Sequence, residues 1–170
     1  PCDEIETLSI LDIIVNNPSP SYIRIDKPNN NNLSDESFEV GKLRKIKDGN
    51  DIAIIGYGSI LEEAVEASNL LAKKNIHCSI YSIHTLKPYN KNALSEILKK
   101  YDKILIIEEH VQVGGLSSLI SEVLVEVKIV PSVISKLNLG DQYSLSIGSR
   151  DHLRNHHKID SKSIFSKVTE

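Results

Sequence analysis

The 170 residues contain no methionine and no tryptophan, and phenylalanine occurs only twice. With so few large aromatics, a core has to be assembled from Ile, Leu and Val, the usual filling of parallel sheets buried on both faces. A chain that lacks methionine and opens on Pro1 is expected to be part of a longer translation product, so its activity is expected to draw on residues outside it. Cysteine is confined to Cys2 and Cys78, without metal-ligand spacing and without a secretory signal, which points to reduced thiols in a cytoplasmic protein. There is no apolar run long enough to cross a membrane, so no membrane partner is expected. Nor is there an excess of basic charge: at a formal net charge of -3 and a pI near 6.1 the chain has no field to attract a phosphate backbone, which argues against nucleic acid. What is present, 40% hydrophobic and 25% charged residues, describes an ordinary globular protein with one full core and a fragment beside it.

The apolar residues come in short runs that alternate with helical patterns. Asp3 and Glu6 have capping-box spacing at the start of a helix expected to reach about Val15, where Asn16-Asn17-Pro18-Ser19-Pro20 ends it. Tyr22-Ile23-Arg24-Ile25 reads as a short strand, and Lys27-Pro28 with Asn29 to Asn32 as a polar linker that marks a domain boundary. Beyond it, strands are expected at Phe38 to Lys45, from Ile52, at His77 to Ile83, at Lys103 to Glu108 and near Val130 to Ser135. A hairpin turn at Lys47-Asp48-Gly49-Asn50 is expected between the first two. Helices are expected from Ser59 as cap, through Ala64 and Leu71; from Lys87-Pro88-Tyr89-Asn90, with Leu94, Ile97 and Leu98 on one face; from Gly115 to about Val125; and at Asp151 to His156 and Asp160 to Val168. This βαβ series implies a mostly parallel sheet with helices on both faces.

Functional loops of such sheets lie at the carboxyl ends of the strands. Gly56-Tyr57-Gly58 follows the strand at Ile52 and opens a helix, as a dinucleotide fingerprint does, but Leu61 stands where the third glycine belongs and no acidic residue ends the next strand. A tight strand-to-helix turn accounts for it. Asp48-Gly49-Asn50 resembles part of a diphosphate-Mg²⁺ segment without its first glycine, and a hairpin turn explains it. His152, His156 and His157 offer a helical i,i+4 pair without a recurring acidic or cysteine ligand, so they read as surface residues. Glu108-Glu109-His110, with Gly114-Gly115 just beyond, carries more chemistry. Two carboxylates and an imidazole at a strand end can serve as general acid and base. Alternatively one Glu bonds the Gly114-Gly115 turn while the other points outward.

Four landmarks occur in order: Asp51-Ile52-Ala53-Ile54-Ile55-Gly56-Tyr57-Gly58-Ser59; Ile83-His84-Thr85-Leu86-Lys87-Pro88; Glu108-Glu109-His110 with Gly114-Gly115-Leu116-Ser117-Ser118; and Leu139-Gly140-Asp141 with Gly148-Ser149-Arg150-Asp151. Together they resemble the C-terminal domain of the transketolase family. Pro1-x-Asp3-x-x-Glu6 and Pro20-Ser21-Tyr22-Ile23-Arg24 resemble the last helix and strand of that family's pyrimidine-binding domain. The resemblance implies three units: residues 1–27 as that tail, 28–37 as linker and 38–170 as the C-terminal domain. It implies an α/β fold of three layers, α/β/α, on a five-stranded, mostly parallel sheet whose first strand runs antiparallel. It further implies a complete enzyme that uses thiamine diphosphate and Mg²⁺ to move a two-carbon ketol unit between sugar phosphates, with its active site between subunits of a homodimer or against an upstream transketolase subunit. Split transketolases and deoxyxylulose-phosphate synthases fit best; the β subunit of a 2-oxo acid dehydrogenase shares the domain. The family's cofactor-activating glutamate and its Gly-Asp-Gly segment lie outside this chain, so the fragment alone is expected to bind no cofactor or metal and to be inactive. Arg24 and Lys27 stand where relatives bind the substrate phosphate. Gly56, Gly58, Glu108, Glu109, His110, Gly114 and Gly115 are expected at an interface or the active-site rim. A non-catalytic dimerisation or regulatory module, and a small-molecule binding domain with its ligand above Gly56 and Glu108, are the rival readings from other classes.

Overall fold

In the computed structural model, which describes residues 1–26 and 32–170, the run at Ile52 forms β2 (Ile52–Gly56), with all five residues buried. Successive strand side chains point to opposite faces, and here both faces are apolar, so the sheet builds two cores. Ile52 and Ile54 of β2 join Cys78, Ile80, Leu105 and Ile107 on one face, covered by α2 (Leu61–Ala72) and α6 (Ser161–Thr169) through Leu61, Ala64, Leu71 and Ile164. Ala53 and Ile55 face the other way with Tyr81, Ile104 and Ile106, under α3 (Lys91–Lys100) and α4 (Leu116–Val127) through Leu94, Leu98, Ile120 and Val123. Each of the Ile, Leu and Val side chains among these stabilises the fold by about 1.5–3 kcal/mol when fully buried, which is why runs of Ile and Leu suffice without tryptophan.

The sheet has five strands in the order β1-β3-β2-β4-β5, with β1 (Arg44–Lys47), β3 (Cys78–Ser82), β4 (Lys103–Ile107) and β5 (Val133–Leu137). β1 is antiparallel to β3, and the other pairings are parallel, so the expected three-layer α/β/α fold with an antiparallel first strand is present. The chain opens with α1 (Glu4–Asn16), and α5 (Arg150–His156) precedes α6. Asp3 caps α1 by accepting from the Glu6 amide at 3.0 Å, while the Glu6 carboxylate reaches back to the Cys2 amide at 2.7 Å, one residue beyond a standard capping box. Among the described residues, no helix is long and apolar enough to cross a membrane.

Several local expectations are corrected. Tyr22 to Ile25 is not a strand: Tyr22 is 89% and Ile25 54% exposed, and β-branched residues without a neighbouring strand have no ladder to join. The first strand is shorter and later than Phe38 to Lys45, because Gly41 turns the chain at φ +80° and Phe38 stacks on the His84 ring instead, 4.1 Å between centroids. The turn at Asp48-Gly49 is no hairpin, since β3 lies between the strands it joins. Gly49 instead crosses the start of β3, where a Cβ would meet the Cys78 carbonyl carbon and His77 O at 2.5 Å. Its amide and carbonyl both bond to Ser79 Oγ, at 2.8 and 2.7 Å, and Tyr101 Oη donates to the same carbonyl at 3.1 Å. The third helix starts at Lys91, capped by Asn90, and the last strand starts at Val133.

Candidate functional site at the carboxyl edge of the sheet

β2 and β4 end side by side, Gly56 opposite Ile107, and their loops set the geometry of the edge. A Cβ on Gly56 would meet Ile107 Cγ1 at 2.7 Å and Ile107 O at 2.9 Å, so this glycine serves strand packing. Gly58 takes φ +74° and starts a 3₁₀ turn, Gly58–Ile60, that leads into α2. These roles leave the Gly56-Tyr57-Gly58 segment as a tight strand-to-helix turn.

Glu108 continues β4 and is wholly buried. Its carboxylate accepts from the Leu116 amide at 2.6 Å, the Ser117 amide at 3.1 Å and Ser117 Oγ at 2.7 Å. It therefore caps α4, whose N-cap residue, Gly115, has no side chain, and places negative charge at the positive end of the helix dipole. A side chain on Gly115 would run into Glu108 Oε2, so the glycine and the buried carboxylate require each other. Gly114 sits at φ +79° in the same turn.

Glu109 points elsewhere and is held by Arg154 of α5 in a two-bond fork, Nε to Oε1 at 2.8 Å and Nη2 to Oε2 at 2.9 Å. His110 is half-buried, with Nδ1 3.0 Å from the Val111 carbonyl; a carbonyl only accepts, so Nδ1 carries a proton there. Glu108, Glu109 and His110 are thus adjacent in sequence but engage three different partners. They do not form a linked acid-base group.

Arg154 is the centre of the edge. Its side chain is 1% exposed, and besides Glu109 it donates to Glu63 Oε1 at 3.3 Å and to Ser59 Oγ at 2.7 Å. Burial opposes its charge, but hydrogen bonds and attraction from Glu109 and Glu63 raise its pKa above the ordinary arginine value. Glu63 also accepts from the Ser161 amide at 2.8 Å, which fixes the start of α6 to α2. Arg150 pairs with Glu62 at 3.2 Å on the same side. Ser59 is not the expected helix cap; its hydroxyl donates to Asp26 while receiving the Arg154 bond. Arg24 is exposed two residues earlier than Asp26, near enough to oppose, by its charge, the upward shift of the Tyr57 hydroxyl. That hydroxyl is pushed up to about 12, first by burial and then by Glu108 and Glu109, so it stays protonated at neutral pH. Lys27 lies outside the described residues.

No pattern in the sequence announces the Arg154–Ser59–Asp26 connection. Its members are 95 and 33 residues apart, beyond the reach of any local signal. The histidines of α5 stack on one another, His152 on His156 at 6.4 Å, and His156 and His157 bond to Ser146 and Ser144. Among the described residues, no group of three or more His, Cys, Asp or Glu side chains is arranged to hold a metal ion. With Glu108 spent on α4, Glu109 on Arg154 and the Ser59 hydroxyl on Asp26, the described residues of this edge do not compose a diphosphate or Mg²⁺ site by themselves.

What the edge does present is apolar. Val113 is 71% exposed, and Tyr143, Leu145 and Ile147 are 96%, 94% and 97% exposed. The alternate residues Ser144 and Ser146 are bonded to His157 just past α5 and to His156 in it, so this segment is tied down through its polar side chains and displays its apolar ones.

Residues 41–164 match the family model described as transketolase, C-terminal domain. One of the subunits of apulose-4-phosphate transketolase from Actinobacillus succinogenes is 30% identical over 161 residues, covering 94% of this chain and 51% of that protein. The 1-deoxy-D-xylulose-5-phosphate synthase of Dictyoglomus turgidum is 31% identical over 172 residues, covering 99% of this chain and 28% of that protein. Among solved structures, a split-gene transketolase described as an inactive beta4 tetramer aligns with a TM-score of 0.66 and 26% identity, covering 79% of this chain and 42% of that one. The chain therefore spans about half the length of one of these curated relatives and less of the other. With the family model matched over residues 41–164 and the five-stranded fold in agreement, the chain belongs to the transketolase family, through its C-terminal domain.

Proposed function

We propose that this chain is the C-terminal portion of a thiamine diphosphate- and Mg²⁺-dependent, cytoplasmic transketolase-like enzyme that transfers a two-carbon ketol unit between sugar phosphates, and that the domain serves assembly and the active-site rim. The observation that carries the reading is the state of the carboxyl edge. Its carboxylates Glu108 and Glu109 are committed to internal partners, while Arg24 and the Tyr143-Leu145-Ile147 strip face outward. Such an edge suits a rim that is completed by another domain or subunit. Residues 1–27 are read as the tail of the pyrimidine-binding domain, 28–37 as linker and 38–170 as the C-terminal domain. Arg24, with Lys27, is read as the phosphate contact, since a guanidinium fork donates two bonds to one phosphate. The partner is a second copy or an upstream transketolase subunit; an apolar strip this exposed favours such a contact.

The test is ketol transfer from xylulose 5-phosphate to ribose 5-phosphate by the complete reading frame with any adjacent subunit, beside pyruvate with glyceraldehyde 3-phosphate, with and without thiamine diphosphate and Mg²⁺. Cofactor-dependent turnover of the first pair supports the transketolase branch, and of the second the deoxyxylulose-phosphate synthase branch. Failure of both in a folded, cofactor-binding assembly moves the reading to a 2-oxo acid dehydrogenase β subunit or to an unusual sugar acceptor. The 170-residue chain alone is expected to be inactive, and measurable turnover by it refutes that part. Replacing Leu145 and Ile147 by Ser is expected to weaken association, read by light scattering on dilution, with the fold intact; unchanged association counts against the assembly role.

A further inference from the structure

We infer that Ser59, backed by Arg154, is a positioning residue that pins the Arg24–Asp26 segment to the carboxyl edge of the sheet and so sets where the Arg24 guanidinium meets a substrate phosphate. The inference rests on the reading of Arg24 as a phosphate contact given above.

The hydroxyl of Ser59 is buried in the turn between β2 and α2, with the residue 1% exposed. It has one proton to give. Because Arg154 Nη2 donates into its lone pair at 2.7 Å, the proton is directed to the other neighbour, the Asp26 carboxylate. The direction of the chain is fixed, from guanidinium to hydroxyl to carboxylate, and both links are charge-assisted. Arg154 cannot swing away, since Glu109 grips it by two bonds and Glu63 by a third. The hydroxyl is also diverted from the task its position suggests: neither the 3₁₀ turn nor α2 has a side-chain cap, although serine is among the preferred capping residues. The segment it holds has no ladder of its own, for Tyr22 to Asp26 form no strand, and Tyr22 and Ile25 are exposed. Among the described residues this segment has no backbone pairing, so side-chain ties help to set its position, and the Asp26–Ser59 bond is such a tie, two residues from Arg24. The charge of Arg24 is felt at the hydroxyl of Tyr57, two residues before Ser59.

The experiment uses the complete enzyme and two readouts. Ser59→Ala is expected to speed tryptic cleavage after Arg24 about tenfold while leaving the sheet uncut, as loss of one charge-assisted hydrogen bond implies. The same variant is expected to raise KM for a phosphorylated ketose about tenfold, with kcat and the KM for the unphosphorylated ketose within about twofold. Ser59→Thr, which keeps the hydroxyl, should restore both. Asp26→Ala breaks the same link from the exposed side, and it keeps the test decisive should Ser59→Ala disturb Arg154. Unchanged cleavage after Arg24 overturns the inference, as does faster cleavage with an unchanged KM for the phosphorylated ketose. Arg24→Ala separates the two readings. If it leaves that KM unchanged, the phosphate role of Arg24 fails; if it raises KM while Ser59→Ala and Asp26→Ala do not, the phosphate role stands and the positioning role falls.

Discussion

Arg44 and Arg154 are both buried arginines, yet their surroundings lead to opposite roles. Arg44 donates to both Asp3 oxygens at 2.9 and 2.8 Å, approaches Glu6 at 3.5 Å, and gives its remaining donors to the carbonyls of Glu36 and Ser34. Asp3 and Glu6 are themselves fully buried, so this cluster closes on itself and ties α1 and the residues after Leu33 to β1. Arg154 faces carboxylates that keep some water, 28% side-chain exposure for Glu109 and 14% for Glu63, and through Ser59 it reaches Asp26 on the outside. The difference lies in what surrounds the partners. A buried cation whose partners are all buried fastens elements together, whereas one whose partners reach solvent can set the position of groups at a surface.

Removing each cation tests this contrast most strongly. Arg44→Ala leaves two carboxylates without water or cation and is expected to cost about 3–5 kcal/mol, measured by urea unfolding, with α1 losing its exchange protection. Arg154→Ala is expected to cost less, about 1–3 kcal/mol, because Glu109 and Glu63 can hydrate. Equal losses, or the reverse order, would break the comparison. A smaller effect of a third kind is expected at Gly115. Gly115→Ala drives a methyl into Glu108 Oε2, so the carboxylate has to leave the Leu116 and Ser117 amides or the turn has to shift. Strain and cap loss together are expected to cost about 1–2 kcal/mol in the same urea assay, and Glu108→Ala combined with Gly115→Ala should be less than additive.

Much of this was legible in the residues, and the pattern of success has a physical cause. The runs at Ile52 and Ile104 marked central strands because a strand buried on both faces must be apolar throughout, and β2 is. A Glu bonded to the Gly114-Gly115 turn was one of the two readings of Glu108-Glu109-His110, since strand end, glycine turn and helix start are contiguous. The outward Glu of that reading was not outward: Glu109 found Arg154, 45 residues away. Ser59 went to a helix cap by the same local logic and instead serves two distant partners. Tyr22 to Ile25 had strand composition without a neighbour to pair with, and the Asp48-Gly49 turn looked like a hairpin because composition does not reveal that β3 inserts between the strands. Apolar periodicity is written locally, but polar pairing is decided by which segments the fold brings together.

Acid is expected to distinguish the two clusters by the smallest effect, at the Arg44 end. His84 bonds through Nδ1 to Thr85 Oγ1 at 2.8 Å, lies against the Phe38 ring, and has a buried Nε2. Burial lowers its pKa below the ordinary 6.5; attraction to Glu6 and a backbone hydrogen bond with Lys42 oppose the shift, and the Pro1 amino group and Arg44 add to it. The folded state therefore favours the neutral ring, while the unfolded chain takes up a proton near 6.5. Between the lowered value and 6.5 the unfolded state binds more protons, so stability is full above 6.5 and is lost as the pH falls below it, down to the folded-state pKa. His84→Phe keeps a ring on Phe38 and removes the titration. Its Tm should fall less than that of the parent chain between about pH 7.5 and about pH 5.5, a window that lies above the ordinary carboxylate range. Because His84 senses Glu6 and Arg44, the parent should lose α1 exchange protection on acidification before it loses protection in β2 and β4. Parallel Tm slopes in parent and variant would show that the Arg44 cluster withstands acid as well as the Arg154 cluster does, and would remove this distinction between them.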